Sequence, residues 1–413
     1  MNSTFFYRFS FPSQIRAVIC IPSSKSISNR VLIINAFAKG EFIPENLSDC
    51  DDTRVMIKAL NGDEKVIDIM AAGTAMRFLT AYYSVIPGTR IITGTERMRK
   101  RPIRILVDAL RDLGAQIAYT GDEGFPPLQI TGTDLTGSAI SLKGDVSSQY
   151  ISALLMIAPI LKNGLQLHLT GEVISRPYIR LTLKLMKDFG VEASWDSQAD
   201  ISVHPQSYLS VPFTVESDWS AASYWYQIAA LSEQAEVELP GLLRNSYQGD
   251  SRVAEIFYRL GVETIFGSKG VTLRKRNTYV ERLDENLIDV PDLAQTFAVT
   301  CALLNIPFRF SGLQSLKIKE TDRMAALIAE LGKLGFLLRE EEGSVLIWDG
   351  KMQETLPSPI IQTYEDHRMA MAFAPAAIRR PDIRIANPDV VSKSYPAFWK
   401  DLEKAGVVIT KEI

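Results

Sequence analysis

LIAELGKLG, residues 327–335, carries the pattern on which the fold turns: an amphipathic helical stretch that stops at a glycine, with a short β-prone run behind it. The same pattern recurs as TRVMIKALNG (53–62), LVDALRDLG (106–114), LKLMKDFG (183–190), VAEIFYRLG (253–261) and FWKDLEKAG (398–406). The residue just past a helix end often takes a left-handed conformation that costs a Cβ-bearing residue more than glycine. Gly62, Gly114, Gly190, Gly261, Gly335 and Gly406 therefore read as helix stops, and the runs that follow, such as Ala115 to Tyr119 and Val191 to Trp195, read as strands. The last five glycines lie 76, 71, 74 and 71 residues apart, and only the first interval, 52, is short. Helix, glycine, strand is also the commonest junction of α/β chains, so chance recurrence is the alternative. Six units of about 70 residues predict an α/β protein of repeated units, in two similar domains of three; the period is too long for a solenoid. No Ser/Gly- or Pro-rich linker marks a boundary. The chain is expected to cross between domains on short segments, giving one domain from residues 1–21 plus 218–413 and an inserted domain from 22–217.

The chain has 413 residues, 46% hydrophobic and 23% charged, which suits two globular cores better than one. A formal net charge of -3 argues against holding nucleic acid or anionic lipid through the overall field, so any basic site is local. Cys20, Cys50 and Cys301 are scattered and in no metal-ligand spacing, as are His168, His204 and His367, so neither a disulfide framework nor a metal centre is expected. The apolar run Ala17 to Ile21 is too short for a signal peptide, and Ile151 to Leu161 is too short for a membrane span. A cytoplasmic location is expected.

Chemistry-bearing residues gather at helix starts. SSKSISNR, Ser23 to Arg30, sets hydroxyls and Lys25 before an apolar helix; with a start near Ser24, Ser26 and Arg30 fall four apart on one face. In AAGTAMRFLTAYY, Gly73 permits close approach of a ligand to backbone ahead of a helix containing Arg77. GTERMRKRPIRILVDAL crowds Arg97, Arg99, Lys100, Arg101 and Arg104 around Pro102, which suits a first helical turn. That run reads as a solvated charge cluster, a small-anion clamp or a nucleic-acid patch, although aromatic interleaving is missing. GDVSSQY offers Ser147, Ser148 and Gln149 at a further helix start, and ISRPYIRLTLKLMK offers Ser175 and Tyr178 around Pro177. In KIKETDRM, Lys319 and Arg323 stand four apart with Glu320 and Asp322 between them. Cations at a helix start oppose the helix dipole, and an anionic ligand would relieve the conflict. YEDHRMAM repeats the device with Asp366, His367 and Arg368, and Lys393 precedes the last helix. His367 reads as backbone-bonded rather than as a general base. Converging helix starts predict a shared cationic cleft for two small anions.

In this order, SSKSISNR, AGTAMR, RMRKRPI, SSQY, KETDRM and YEDHRMAM resemble the enolpyruvyl transferase family over nearly the whole chain. The likeness is to its branch acting on shikimate 3-phosphate; the sister branch using UDP-N-acetylglucosamine usually carries a cysteine in the basic loop, and Gly94 to Arg104 has none. The resemblance implies two domains, each of three βαβαββ-type units with helices inside and sheets outside, and an active-site cleft between them. It implies transfer of the enolpyruvyl group of phosphoenolpyruvate to the 5-hydroxyl of shikimate 3-phosphate, by a monomer, with no cofactor, metal, nucleic acid or membrane partner. Lys25, Ser26, Arg30, Ser147, Ser148, Gln149, Ser175, Tyr178, Asp292 and Lys319 would hold shikimate 3-phosphate. Lys25, Gly73, Arg97, Gln149, Arg323, Arg368 and Lys393 would hold phosphoenolpyruvate. Asp292 would take the hydroxyl proton and Glu320 would serve the methylene carbon, assisted by Lys25; carboxylates among so many cations would be depressed in pKa. Three positions depart from the family pattern: Ala71 and Ser315 stand where asparagine is usual, and Phe78 where proline is.

Overall fold

A computed structural model describes residues 5–137, 139–196 and 199–412. The chain divides into two compact units, Met1–Pro22 with Glu216–Ile413, and Ser23–Val215. Strands β1 (Phe6–Ser10) and β2 (Gln14–Val18) belong to the first unit. The second begins with α1 (Lys25–Ala38) and α2 (Asp51–Asn61). Next come β3 (Val66–Asp68), α3 (Gly73–Val85), β4 (Gly88–Thr93), the one-turn α4 (Glu96–Arg99), α5 (Arg104–Asp112), β5 (Gln116–Tyr119) and β6 (Leu128–Gly132). The next repeat is β7 (Ala139–Lys143), α6 (Ser148–Ile157), β8 (Leu165–Thr170), α7 (Arg176–Asp188), β9 (Ala193–Trp195) and β10 (Asp200–Val203). Back in the first unit follow α8 (Trp219–Leu231), β11 (Gln234–Pro240), α9 (Val253–Arg259), β12 (Val262–Phe266) and β13 (Gly270–Lys275). Then come β14 (Leu283–Asn286), α10 (Ala294–Leu303), β15 (Phe308–Ser311), α11 (Arg323–Lys333), β16 (Arg339–Glu341) and β17 (Val345–Trp348). The chain closes with β18 (Ile360–Ile361), α12 (His367–Phe373), β19 (Arg384–Ala386), α13 (Phe398–Lys404) and β20 (Val408–Glu412).

Among the described residues, five four-stranded sheets share one arrangement: two parallel strands, the second preceded by a helix, then two antiparallel strands. The orders are β3-β4-β6-β5, β7-β8-β10-β9, β2-β11-β13-β12, β14-β15-β17-β16 and β18-β19-β1-β20. The strand behind each of the last five helix-stop glycines is the outer strand of its sheet. Those glycines all have positive φ, from 83° at Gly190 to 100° at Gly114, as a left-handed helix stop requires. Gly62 does not. Its φ is -100°, and no four-stranded sheet follows α2 as its own; among the described residues that part of the unit carries only a parallel bridge between Glu45 and Thr214. Among the described residues, five of the six expected units are thus complete βαβαββ motifs and the one that ends at Gly62 is reduced to helices, which accounts for the short first interval.

Within each motif the first helix is the interior one. All residues of α10 and α12 are buried, as are all but Ser220 in α8, whereas α5, α9, α11 and α13 keep a polar face. A helix apolar on every side has nowhere to go but between other elements. Strands such as β8 and β11 alternate buried and exposed residues, so the sheets cover the helices on one face only. The few polar side chains within the interior helices, such as Ser152, Ser223 and Gln227, are buried among the helices.

Candidate functional site

In the unit Ser23–Val215, Arg30 ties three helices together. Its Nε donates to Thr182 Oγ1 on α7 (2.7 Å), Nη2 to Ser152 Oγ on α6 (3.0 Å) and Nη1 to the Ser26 carbonyl in the first turn of α1 (2.9 Å). Only 2% of Arg30 is exposed. Its guanidinium lies 5.3 Å from the centroid of Phe78 on α3, so the family's missing proline is replaced by a ring filling the core beneath this cation. Burial lowers the Arg30 pKa to about 10, partly opposed by Tyr178, which leaves the charge intact near neutrality. Ser26 meets Arg30 through its carbonyl, and the guanidinium faces inward.

That clamp aligns the starts of α1, α6 and α7. Ser24 caps α1 through the Ile27 amide (3.4 Å), and Lys25 at its first position lies 3.8 Å from Asp52, a carboxylate the sequence reading had not singled out. Ser147 caps α6, Ser148 opens it, and Gln149 Nε2 donates to Thr74 Oγ1 on α3 (3.2 Å). Ser175 precedes α7 in a left-handed conformation (φ 53°) and makes no side-chain cap; Tyr178 is in the first turn of that helix. α3 starts at Gly73 behind Ala72, which has no capping side chain. A Cβ on Gly73 would sit 2.7 Å from Arg101 Nη1 and 3.0 Å from Arg77 Nη1, so two guanidinium ends take the space a side chain would need.

The basic run 97–104 is divided rather than pooled. Lys100 pairs with Glu96 (2.6 Å), Arg104 with Glu123 (3.2 Å), Arg101 turns to Gly73, and Arg97 and Arg99 are exposed on α4. Pro102 is not in a first helical turn: α5 begins at Arg104, and the Pro102 carbonyl instead accepts the Tyr150 hydroxyl (2.7 Å).

In the other unit, Arg323 is the hub. Its Nε and Nη2 donate to both oxygens of Asp366 (2.6 and 3.3 Å), Nη1 to Asp292 (2.9 Å) and Nη2 to Glu320 (2.8 Å). Asp292 also meets Arg368 Nη2 (3.2 Å) and Lys319 Nζ (3.4 Å). Burial would raise the Asp292 pKa, but Arg368, Lys319 and Arg323 outweigh it and hold the carboxyl far below its usual range. Lys319 and Arg323 are not four apart on one helix. α11 begins at Arg323, capped by Asp322 through the Met324 and Ala325 amides (3.1 Å each), and Lys319 lies in extended backbone before it. The charge of Arg323 at the helix start is met by Asp366, Asp292 and Glu320. Asp366 caps α12 through the Arg368 amide (2.9 Å), His367 is buried at the first position, and Lys393 donates to the Glu365 carbonyl (2.6 Å).

Behind this cluster stand groups with no local sequence signal. The Tyr224 hydroxyl on α8 hydrogen-bonds Arg368, and buried Asp250 accepts from Ser220. Burial raises the Asp250 carboxyl to about 6 against the pull of Ser220 and Arg368. Ser315 keeps its position before Lys319, with its hydroxyl buried and without a hydrogen-bond partner among the described residues.

Repeated βαβαββ motifs whose helix starts present hydroxyls, amides and alternating cations and carboxylates define an α/β enzyme that handles small anions. A family model described as EPSP synthase (3-phosphoshikimate 1-carboxyvinyltransferase) matches residues 10–63 and 61–402, and the chain belongs to that family. It is 68% identical over 400 residues to a 3-phosphoshikimate 1-carboxyvinyltransferase of Bacteroides fragilis, covering 97% of this chain and 98% of that one. A protein of the same description from Shewanella halifaxensis is 36% identical over 414 residues, covering 94% and 96%. The fold matches the structure of EPSP synthase from Acinetobacter baumannii with a TM-score of 0.78 at 21% identity, over 99% of this chain and 100% of the other. No helix among the described residues is long and apolar enough to cross a membrane.

Proposed function

We propose that this chain transfers the enolpyruvyl group of phosphoenolpyruvate to the 5-hydroxyl of shikimate 3-phosphate, releasing phosphate, as a cytoplasmic step toward aromatic amino acids. The observation that carries the reading is Asp292 held among Arg323, Arg368 and Lys319, beside Glu320: a carboxylate kept ionised within a cluster of anion-binding cations. The hydroxyl oxygen adds to C2 of phosphoenolpyruvate while C3 gains a proton, giving a tetrahedral ketal. Loss of a C3 proton and of phosphate from C2 then restores the double bond.

In this reading Lys25, Ser26, Arg30, Ser147, Ser148, Gln149, Ser175, Tyr178, Asp292 and Lys319 hold shikimate 3-phosphate. Lys25, Gly73, Arg97, Gln149, Arg323, Arg368 and Lys393 hold phosphoenolpyruvate. Asp292 takes the hydroxyl proton, and Glu320 with Lys25 serves C3. With three cations on it, Asp292 is a weak base. Substrate anions that draw off Lys319 and Arg368 weaken the field holding it ionised and raise its basicity, which couples proton abstraction to occupancy. The test is phosphate release from phosphoenolpyruvate with shikimate 3-phosphate or UDP-N-acetylglucosamine as acceptor. Release with the first acceptor alone is expected; release with neither, or only with the second, sinks the reading.

A further inference from the structure

Arg368 lies shortly after a stretch of backbone that L-residues avoid, with Asp366 and His367 between. Tyr364 and Glu365 are left-handed in succession (φ 53° and 55°), and neither is glycine or asparagine. Such a conformation persists only where its surroundings over-determine it. Hydrogen bonds from α11 and within the segment itself do so. Glu330, two turns along α11 from Arg323, accepts from the Tyr364 hydroxyl (2.6 Å), the Gln362 amide (3.1 Å) and Lys333 Nζ (2.6 Å). Lys333 Nζ also donates to the Ile360 carbonyl (2.9 Å), and the Asp366 amide to the Thr363 carbonyl (2.8 Å). Arg323 then grips Asp366, whose carboxylate caps the Arg368 amide. One face of α11 thus holds the segment 360–366 at both ends of its bend.

Glu330 is fully buried, yet it serves a bend whose Tyr364 is 39% exposed. Burying a carboxylate is costly, and a bend of no consequence could be held by groups left in water. We propose that Glu330, acting through the Tyr364 hydroxyl, is a positioning residue that sets where Arg368 stands and which way the Glu365 carbonyl meets Lys393. The inference rests on the assignment of Arg368 and Lys393 to phosphoenolpyruvate made above. Glu330 touches neither substrate in this account; its effect passes through the backbone.

The test is steady-state phosphate release by wild type, Glu330→Gln and Tyr364→Phe, each substrate varied in turn, with circular dichroism to verify folding. Tyr364→Phe keeps the ring and removes only the hydroxyl, so it stays informative if Glu330→Gln folds poorly. Both variants are expected to lose about tenfold in kcat/KM for phosphoenolpyruvate, with KM for shikimate 3-phosphate within about twofold of wild type. Adding Glu365→Gly to Glu330→Gln, which makes one left-handed position free of strain, is expected to recover part of the loss. Folded variants that match wild type, or that lose equally toward both substrates, overturn the inference. A wild type that releases no phosphate overturns the assigned function and this inference with it, whereas an active wild type with unaltered variants overturns the inference alone.

Discussion

Arg323 and Asp366 form a two-pronged pair, at 2.6 and 3.3 Å, with 1% and 0% of each residue exposed. The pair joins the first residue of α11 to the cap of α12, so one guanidinium fixes the starts of two helices. The planar fork matches the carboxylate in a way an ammonium cannot. The same guanidinium reaches Asp292 and Glu320, so the two carboxylates assigned to proton transfer are held by a group that also sets the helix frame.

Arg323→Lys is therefore expected to cost about 2–4 kcal/mol of stability, because a single ammonium leaves at least one of three carboxylates unpaired in a partly buried site. Urea unfolding measures this. Phosphate release should fall at least tenfold in the same protein, and a loss under about 1 kcal/mol would show that the cluster relaxes around lysine.

Asp250 and Asp292 should respond to pH with opposite signs. Burial raises the Asp250 carboxyl from 3.8 to about 6, so the folded state holds that proton more tightly. Its contribution to stability is complete below about 3.8, is lost as pH rises through about 6, and is of order 3 kcal/mol at most. Asp292 is depressed, so its contribution is present above 3.8 and is lost only in stronger acid. Thermal melts should show Asp250→Asn gaining on wild type between pH 4.5 and pH 7.5; a gap that does not change with pH contradicts this.

Gly73→Ala should leave the fold intact and injure binding. The new Cβ meets the ends of Arg101 and Arg77, which can swing away, at 2.7 and 3.0 Å. KM for phosphoenolpyruvate is expected to rise about tenfold, with a stability change under about 1 kcal/mol, since only flexible side chains must move. Comparing kinetics with a melting curve separates the two effects.

Thr182→Val removes the acceptor of Arg30 Nε and the hydroxyl that donates to Ser152 (2.8 Å). A buried guanidinium robbed of an acceptor should cost about 1–3 kcal/mol, read by chemical denaturation. A neutral result would mean that Arg30 finds another acceptor in the core.

Lys25→Ala and Glu320→Gln are each expected to lower turnover about a hundredfold, whereas His367→Ala, a change at a buried residue beside the cluster, should mainly lower the melting temperature. Equal losses of turnover in all three would show that the roles are wrongly divided.

Local chemistry was legible in the sequence. Five of six helix-stop glycines, the strands behind them and the gathering of hydroxyls and cations at helix starts all follow from backbone sterics and hydrophobic period, which act over a few residues. Even the failure at Gly62 was foreshadowed by its short interval. The fates of single charges were not legible. Lys100 and Arg104 neutralise nearby acids, while Arg101 of the same run packs against Gly73. Glu96, four residues before Lys100, marks that pair, but nothing local separates Arg104 from Arg101.

Sequence alone determined the repeat, the sign of the charge at each helix start and the family. Tertiary structure decided the partners: Asp292 meets Arg323 and Arg368 across 31 and 76 residues, and Arg30 reaches Thr182 across 152. Helix periodicity says which face a side chain occupies. Which face lies opposite is set by how the interior helices pack, and that packing rests on contacts distributed over the whole unit, so it determines whether a cation meets a carboxylate, a hydroxyl or a ring.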